Sequence, residues 1–247
     1  MALSRALLDL VAEGAAPPTL RLYRPDDVLA FSSLDAASPG FAAAVAAARA
    51  AGFVPTLRLA GGRAAVFHRE TLGFAWTMPA GDPRRGIGER FDAVGAWIAA
   101  ALRRLGVDAR VGAVPGEYCP GPHSVNARGL RKLAGIGQRV VRGAAHVGGV
   151  IVVRESARVR AALEPVYAAL GLDWDPASAG SIEDELGAGS RDATAEALLA
   201  ELASRFEVEP SQHLGAALSR AAAYEARYAL PEGPEPVRSN PKARIRL

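Results

Sequence analysis

The chain has one cysteine, Cys119, in the proline- and glycine-rich segment PGEYCPGPHSV. A structural cysteine normally lies in an apolar run, whereas a thiol in a constrained loop is more often exposed to reaction. Lys132 follows thirteen residues later, and His68 and His123 could supply a base or a positive charge. These residue types can activate a thiol as a nucleophile. The segment therefore predicts either a catalytic thiol or a cysteine with a packing role.

Lys132 lies in the segment RKLAGIGQR and is one of only two lysines among 29 basic residues. Lysine presents a compact ammonium on a flexible stem, whereas arginine presents a planar fork, so the two are not interchangeable at a tight site. A lysine beside two glycines in an arginine-rich chain favours a site that needs one rotatable donor. Gln138 and Arg139 could add donors to the same anion. The alternative is an ordinary surface lysine.

The segment RLAGGRAAVFH, Arg58 to His68, places two glycines and an arginine between two predicted strands. Backbone N–H groups in such a turn can face an anion, and the absent side chains let a ligand approach closely. An ordinary hairpin turn is the simpler interpretation of an isolated Gly-Gly pair. A lone histidine at a strand end, such as His68, is more often structural than catalytic.

Composition limits the function classes. The 247 residues carry a net charge of +3 and a pI near 9.3, with arginines spread along the chain, which does not favour a nucleic-acid partner. One cysteine cannot form an internal disulfide, and zinc-type cysteine spacing is absent. No apolar run has the length that spans a bilayer, and the N-terminus lacks an apolar signal core. We expect a cytoplasmic protein with no membrane association.

Apolar periodicity predicts clustered strands interrupted by long helices, which indicates an α+β fold rather than a doubly wound parallel sheet. Two strands in succession near the N-terminus suggest an antiparallel pair. The segment WDPASAGSIED is predicted as loop. Helices are predicted for residues 4–13, the Ala-rich stretch after Pro39-Gly40, GIGERFDAVGAWIAAALRRLGV, 157–170, 192–206 and 211–228. Strands are predicted for TLRLYRP, VLAFS, PTLRLA, AAVFHR, LGFAWTM, ARVGAV, SVNARG, RKLAGIGQRVV and AAHVGGVIVV.

The three segments resemble, in order and spacing, motifs of the lipoate-protein ligase and octanoyltransferase family, which is related to biotin-protein ligases. RLAGGRAAVFH is similar to the family's Arg-x-x-Gly-Gly-(Gly or Arg)-Ala-Val-x-His motif, and RKLAGIGQR to its Gly-Arg-Lys-(Ile or Leu)-x-Gly-x-(Ala or Gly)-Gln-Arg motif. TLRLYRPDDVLAFS and AAHVGGVIVV resemble the family's opening strand pair and the strand after the lysine. The resemblance implies a mainly antiparallel sheet flanked by helices.

The resemblance also implies a site. Lys132 would contact the acyl carbonyl or an acyl-adenylate phosphate, and Cys119 would carry the acyl group as a thioester, as in the cysteine-dependent octanoyltransferases. No metal ligand is expected. The implied substrate-binding residues are Arg58, Gly61, Gly62, Arg63, Ala64, His68, Gly135, Gly137 and Gln138.

The function implied by the resemblance is transfer of an octanoyl or lipoyl group to a lysine of a lipoyl carrier domain, in a dehydrogenase E2 subunit or the glycine cleavage H protein. Acyl carrier protein is the implied donor, with no tightly bound cofactor. The alternatives are a ligase that uses ATP and Mg²⁺ and a non-catalytic relative that binds the acyl group or its carrier. We expect a catalytic domain over 1–206, a helical extension over 207–230 and a flexible tail over 231–247.

Overall fold

The protein is described by a computed structural model that covers residues 1–82 and 85–231. Its main sheet has six strands in the order β1-β5-β9-β8-β7-β6, and every neighbouring pair is antiparallel. The mixed α+β fold with a mainly antiparallel sheet is therefore confirmed. The strands are β1 (Thr19–Tyr23), β5 (Thr71–Ala80), β6 (Ala109–Val111), β7 (Val125–Ala127), β8 (Arg131–Val141) and β9 (Gly143–Val152).

A second, three-stranded sheet consists of β2 (Val28–Phe31), β3 (Val54–Leu57) and β4 (Ala65–Phe67), in the order β3-β2-β4. Strand β2 pairs with β3 in parallel and with β4 antiparallel. The expected pairing of the first two strands is therefore wrong, because β1 pairs with β5 instead. The reason lies in burial: VLAF is almost wholly buried and suits a central strand, whereas the half-buried TLRLY suits a sheet edge.

Helices pack on both sheets. Helix α4 (Ile87–Arg104), which its apolar periodicity predicts, is confirmed. Together with α7 (Arg191–Ala203) it covers the apolar core of the main sheet. Helices α3 and α5 cover the small sheet and form a second apolar cluster with it. Over the described residues the helices are α1 (Ala2–Ala12), α2 (Ser33–Ala36), α3 (Phe41–Ala50), α4 (Ile87–Arg104), α5 (Ser156–Leu170), α6 (Ile182–Leu186), α7 (Arg191–Ala203), α8 (Leu214–Ala221) and α9 (Glu225–Tyr228).

The segment after α5 is more ordered than the loop that was expected. A 3-10 helix spans Pro176–Ser178, and α6 follows it. Helix α6 begins with a capping box, in which the Ser181 side chain accepts from Asp184 N–H while the Asp184 carboxylate accepts from Ser181 N–H. The sequence encodes this box as S-x-x-D, with aspartate at the position that glutamate or glutamine more often occupies.

The C-terminal helices α8 and α9 and the 3-10 helix between them, Ala222–Tyr224, pack against α1. Tyr224 donates to the Asp9 carboxylate, and Arg220 forms an ion pair with Glu13. The segment is thus helical and attached, while its status as a separate extension stays a prediction. The expected tail lies outside the described residues except for Pro231. None of the described helices has the length and apolar character that crossing a membrane would require.

Candidate active site

Cys119 lies in the loop between β6 and β7 and adopts a left-handed backbone conformation, with φ of 44°. Its Sγ accepts a hydrogen bond from Arg63 N–H at 3.1 Å, so the thiol contacts the Gly-Gly-Arg segment directly. A non-glycine residue at positive φ is uncommon and is strained unless its surroundings hold it. Here the surroundings do so, because Cys119 N–H donates to Tyr167 Oη at 2.9 Å and Tyr167 Oη donates to Ala64 O at 3.0 Å.

Lys132 is buried on β8 and contacts the loop between β6 and β7 that carries Cys119, here called the cysteine loop. Its Nζ donates to Tyr118 O at 2.9 Å and to Cys119 O at 2.8 Å, and it lies 4.8 Å from the centroid of the Tyr118 ring. A surface lysine is therefore excluded. Two backbone carbonyls converge on one ammonium, so the lysine fixes the conformation of the loop that carries the thiol.

Glu117 completes this arrangement and was not identified from the sequence. Its side chain is fully buried, its Oε2 lies 3.1 Å from Lys132 Nζ, and its Oε1 accepts from Gly121 N–H at 3.2 Å. The contact between Glu117 Oε2 and Lys132 Nζ is an ion pair without the geometry of a hydrogen bond. Burying a lysine is costly without a nearby counter-charge, and Glu117 supplies it. The burial of Lys132 is visible only in the structure, so the sequence held no signal that would pair these two residues.

The Gly-Gly-Arg segment is not a hairpin turn, so the simpler interpretation is wrong: β3 and β4, which it joins, lie on opposite sides of β2. Arg58 Nη1 donates to Arg63 O at 2.8 Å and closes the segment into a compact loop. Gly62 has φ of 113°, and a Cβ there would lie 2.9 Å from Cys119 Sγ. Glycine is required at this position both by the backbone and by the approach of the sulfur.

A cavity of about 480 Å³ lies between the two loops and the β8 strand. Apolar side chains from β4, α4, β8 and β9 provide surface for a hydrocarbon chain; they are Phe67, Ile87, Phe91, Ile136 and Val150. Eight of the eleven residues expected in the site line this cavity, namely Arg58, Gly61, Gly62, Cys119, Lys132, Gly135, Gly137 and Gln138. Their individual roles stay predictions.

Gln138 and Arg139, which could supply donors to one anion, line different cavities. Gln138 Oε1 accepts from Arg90 Nε at 2.6 Å and its Nε2 donates to Ile87 O at 3.2 Å, which ties β8 to the start of α4. Arg139 lines a different cavity. Successive residues of a strand point to opposite faces, which explains the separation.

Arg63, Ala64 and His68 are not among the residues that line the 480 Å³ cavity. The Arg63 guanidinium lies 3.4 Å from the Asp35 carboxylate, while its backbone N–H contacts the thiol. His68 is buried in the turn between β4 and β5, where its Nδ1 accepts from Glu70 N–H at 3.3 Å. Burial, followed by the charge of Arg158, lowers the pKa of His68 to about 4. His68 is thus neutral near neutral pH, and its role in the site stays a prediction.

His123 does line the cavity, but its ring is committed elsewhere. The ring stacks on Phe91 with centroids 4.9 Å apart, and its Nδ1 lies 3.1 Å from Asp92 Oδ1. Because Phe91 and Asp92 lie on α4, the His123 side chain connects the loop that carries Cys119 to that helix. In the described ranges no three His, Cys, Asp or Glu side chains form a group suited to a metal ion.

Comparison with known proteins identifies the family. Residues 1–207 match the model of the family described as the lipoyl protein ligase A/B catalytic domain, and the chain belongs to that family. A curated relative, the octanoyl-[GcvH]:protein N-octanoyltransferase of Geobacillus kaustophilus (strain HTA426), is 29% identical over 170 residues, which are 69% of this chain and 60% of that protein. The enzyme of the same description from Exiguobacterium sibiricum (strain DSM 17290 / CCUG 55495 / CIP 109462 / JCM 13490 / 255-15) is 32% identical over 170 residues, 67% of this chain and 59% of that protein. The chain thus spans about 60% of the length of the curated relatives it matches.

Solved structures show the same fold. A lipoate-protein ligase A bound with ATP superposes with a TM-score of 0.67 at 17% identity, covering 90% of this chain and 88% of that one. The putative lipoate protein ligase Ta0514 from T. acidophilum gives a TM-score of 0.66 at 18% identity, covering 92% and 89%. At these identities the likeness establishes the fold.

Proposed function

We propose that this protein transfers an octanoyl or lipoyl group to a lysine of a lipoyl carrier domain through a thioester on Cys119. The observation that carries the proposal is the position of Cys119 Sγ, which lies on the wall of the cavity, 3.1 Å from Arg63 N. The curated relatives are named for transfer from octanoyl-[GcvH]. An octanoylated carrier domain is therefore a better supported donor than the acyl carrier protein expected at first.

The first step makes the thioester. The sulfur of Cys119 attacks the carbonyl carbon of the octanoyl-lysine amide, the C–N bond breaks, and the thiol proton leaves with the carrier lysine as its amine. Arg63 N–H donates to the sulfur and holds the thiol in place; it can also stabilise negative charge on the sulfur when the thioester is cleaved in the second step. In the second step the amine of an acceptor lysine attacks the thioester carbonyl, and the thiol is restored.

Overall, one lysine amide is exchanged for another. The bond formed and the bond broken are of the same kind, so the transfer requires no ATP and no tightly bound cofactor. ATP and Mg²⁺ are needed only by the alternative chemistry, in which a free acid is first converted to an acyl-adenylate.

Lys132 contributes by positioning the thiol under this proposal. It holds the Tyr118 and Cys119 carbonyls, which keeps the thiol beside Gly62. The Glu117 carboxylate at 3.1 Å offsets much of its charge, so positioning is the contribution that the contacts support.

The acyl chain would be held by the apolar part of the cavity. Burial of methylene groups contributes about 0.8 kcal/mol each, so an octanoyl tail supplies roughly 5 kcal/mol. Phe67, Ile136 and Val150 provide part of that apolar surface.

Two parallel incubations test the proposal. In one, the protein receives octanoyl-GcvH and an unmodified lipoyl domain without ATP; in the other, it receives octanoic acid, ATP, Mg²⁺ and the same domain. We expect transfer in the first incubation and its loss in Cys119→Ser. Acylation only in the second incubation would identify an ATP-dependent ligase, and acylation in neither would identify a binding protein without transferase activity.

A further inference from the structure

A second cavity, of about 330 Å³, lies beside the acyl cavity and shares Arg58 and Gly61 with it. Four arginines line it: Arg5 from α1, Arg58, Arg139 from β8, and Arg227 from α9. Within residues 1–82 and 85–231, no carboxylate side chain is among its lining residues. We name this cavity the arginine pocket.

Three of the cationic residues of the arginine pocket come from α1, β8 and α9, and they line the same cavity as Tyr228. Burial raises the pKa of Tyr228; the charges of Arg227, Arg5 and Arg139 oppose that shift, and the charge of Asp9 adds to it. The charge of Arg5 is partly offset by the Asp9 carboxylate, whose Oδ2 lies 3.0 Å from Arg5 Nε. Arg139 and Arg227 are exposed, and neither has an ion-pair partner in the part of the chain that the structure describes.

Like charges brought together without counter-charges repel one another, and the unfavourable energy falls when an anion enters. The guanidinium fork matches a carboxylate with two parallel hydrogen bonds. Because the pocket adjoins the acyl cavity, its ligand and the acyl group can belong to the same partner molecule.

We propose that the arginine pocket binds acidic side chains of the carrier domain next to the acylated lysine. This inference rests on the proposed function. Arg227 and Tyr228 lie beyond residue 207, where the family match ends, so the C-terminal helices take part in recognition of the partner. Those helices are held in place by Tyr224 on Asp9 and by the pairing of Ala229 with Thr56.

The test is equilibrium binding of octanoylated GcvH to the full chain at low and at moderate salt. The variant Arg139→Gln/Arg227→Gln removes two charges from the arginine pocket and leaves Arg58 in place. The matched control, Arg104→Gln/Arg205→Gln, removes two exposed arginines that pair with Glu201 on α7. We expect Kd to rise about tenfold at low salt in the pocket variant, with a smaller salt dependence, and the control to bind as the wild type does.

Three results would overturn the proposal: pocket and control variants that weaken binding equally, a pocket variant with wild-type affinity, or competition by inorganic phosphate that abolishes carrier binding at the same concentration in both variants. Binding is measured without turnover, so it is independent of the thioester chemistry. A wild-type protein that binds the carrier through this pocket but forms no Cys119 thioester would refute the proposed reaction and support the pocket. A wild-type protein that forms the Cys119 thioester but does not bind the carrier through this pocket would refute the pocket and support the proposed reaction.

Discussion

At the scale of single residues, the choice of lysine at position 132 follows from its surroundings. The ammonium is buried, and its donors reach two adjacent backbone carbonyls, Tyr118 O and Cys119 O. The Glu117 carboxylate balances the charge at 3.1 Å. An arginine would bring the same charge on a larger planar group, which needs wider spacing between its acceptors.

Replacing Lys132 with arginine is therefore expected to lower transfer while the fold survives. The loss should be roughly 3 kcal/mol in transition-state stabilisation, because a misplaced reacting group slows a reaction about a hundredfold. Single-turnover transfer measures the loss, and thermal unfolding checks the fold. Near-wild-type transfer by Lys132→Arg would show that the ammonium has no special role.

Two neighbouring glycines provide a sharper comparison. A Cβ at Gly62 would lie 2.9 Å from Cys119 Sγ at a positive φ, whereas a Cβ at Gly61 meets nothing within 4 Å. Gly62→Ala should therefore slow the reaction of Cys119 with iodoacetamide and with the acyl donor at least tenfold more than Gly61→Ala does. Equal effects would mean that the close approach of Gly62 to the sulfur is unimportant.

At the scale of elements, helix α5 joins two loops that are distant in sequence. Tyr167 Oη accepts from Cys119 N–H and donates to Ala64 O, so one hydroxyl fixes both walls of the cavity. Its phenol is deeply buried, and burial raises its pKa far above the usual range. The hydroxyl therefore stays protonated at neutral pH and donates to Ala64 O.

Tyr167→Phe leaves a backbone donor and a backbone acceptor without this partner. We expect a loss of about 1 to 3 kcal/mol in the free energy of unfolding, and slower transfer because the cysteine loop is less well held. The control is Tyr224→Phe, whose hydroxyl contacts Asp9 at the α1 surface. Urea unfolding measures both variants. A loss no larger for Tyr167→Phe than for the control would contradict the role of α5.

The elements themselves were largely predictable, because local patterns encode them. Helix α4 follows from apolar spacing, and the strands around Lys132 follow from their apolar runs. Strand partners were less predictable: β1 and β2 are adjacent in sequence but belong to different sheets. The Glu117–Lys132 pair could not be derived from spacing, because a contact across a loop and a strand depends on tertiary packing.

At the scale of the whole molecule, the motifs were sufficient to identify the family and to place eight of eleven site residues on one cavity. The three exceptions lie outside the cavity for different reasons. Arg63 reaches the thiol through its backbone N–H, Ala64 accepts a hydrogen bond from Tyr167, and His68 is buried in the turn between β4 and β5. A sequence motif does not separate residues that line a cavity from residues behind its wall.

Two buried histidines make the stability of the whole fold sensitive to acid. Burial lowers the pKa of His68 to about 4, and burial together with Arg21 lowers that of His146 to about 3. Below the ordinary value of 6.5 the unfolded chain takes up protons that the native state does not. The unfolded state is then favoured, so stability should fall as pH falls from about 6.5 toward 4.

His146→Gln should reduce this pH dependence. We expect its unfolding free energy to lose about 1 to 3 kcal/mol less than that of the wild type over the same pH interval. His213→Gln, at a partly exposed position, is the control. Urea titrations at several pH values provide the measurement, and parallel curves for His146→Gln and wild type would contradict the assignment.

The central claim is that Cys119 carries the acyl group, and intact-protein mass spectrometry tests it most directly. After incubation with octanoyl-GcvH and no acceptor, the account predicts an octanoyl adduct on Cys119 that hydroxylamine removes and that Cys119→Ser does not form. Transfer to the lipoyl domain should be lost in the same variant. A serine variant that still acylates the lipoyl domain, and does so only with ATP, would contradict the thioester and leave Cys119 without a catalytic role.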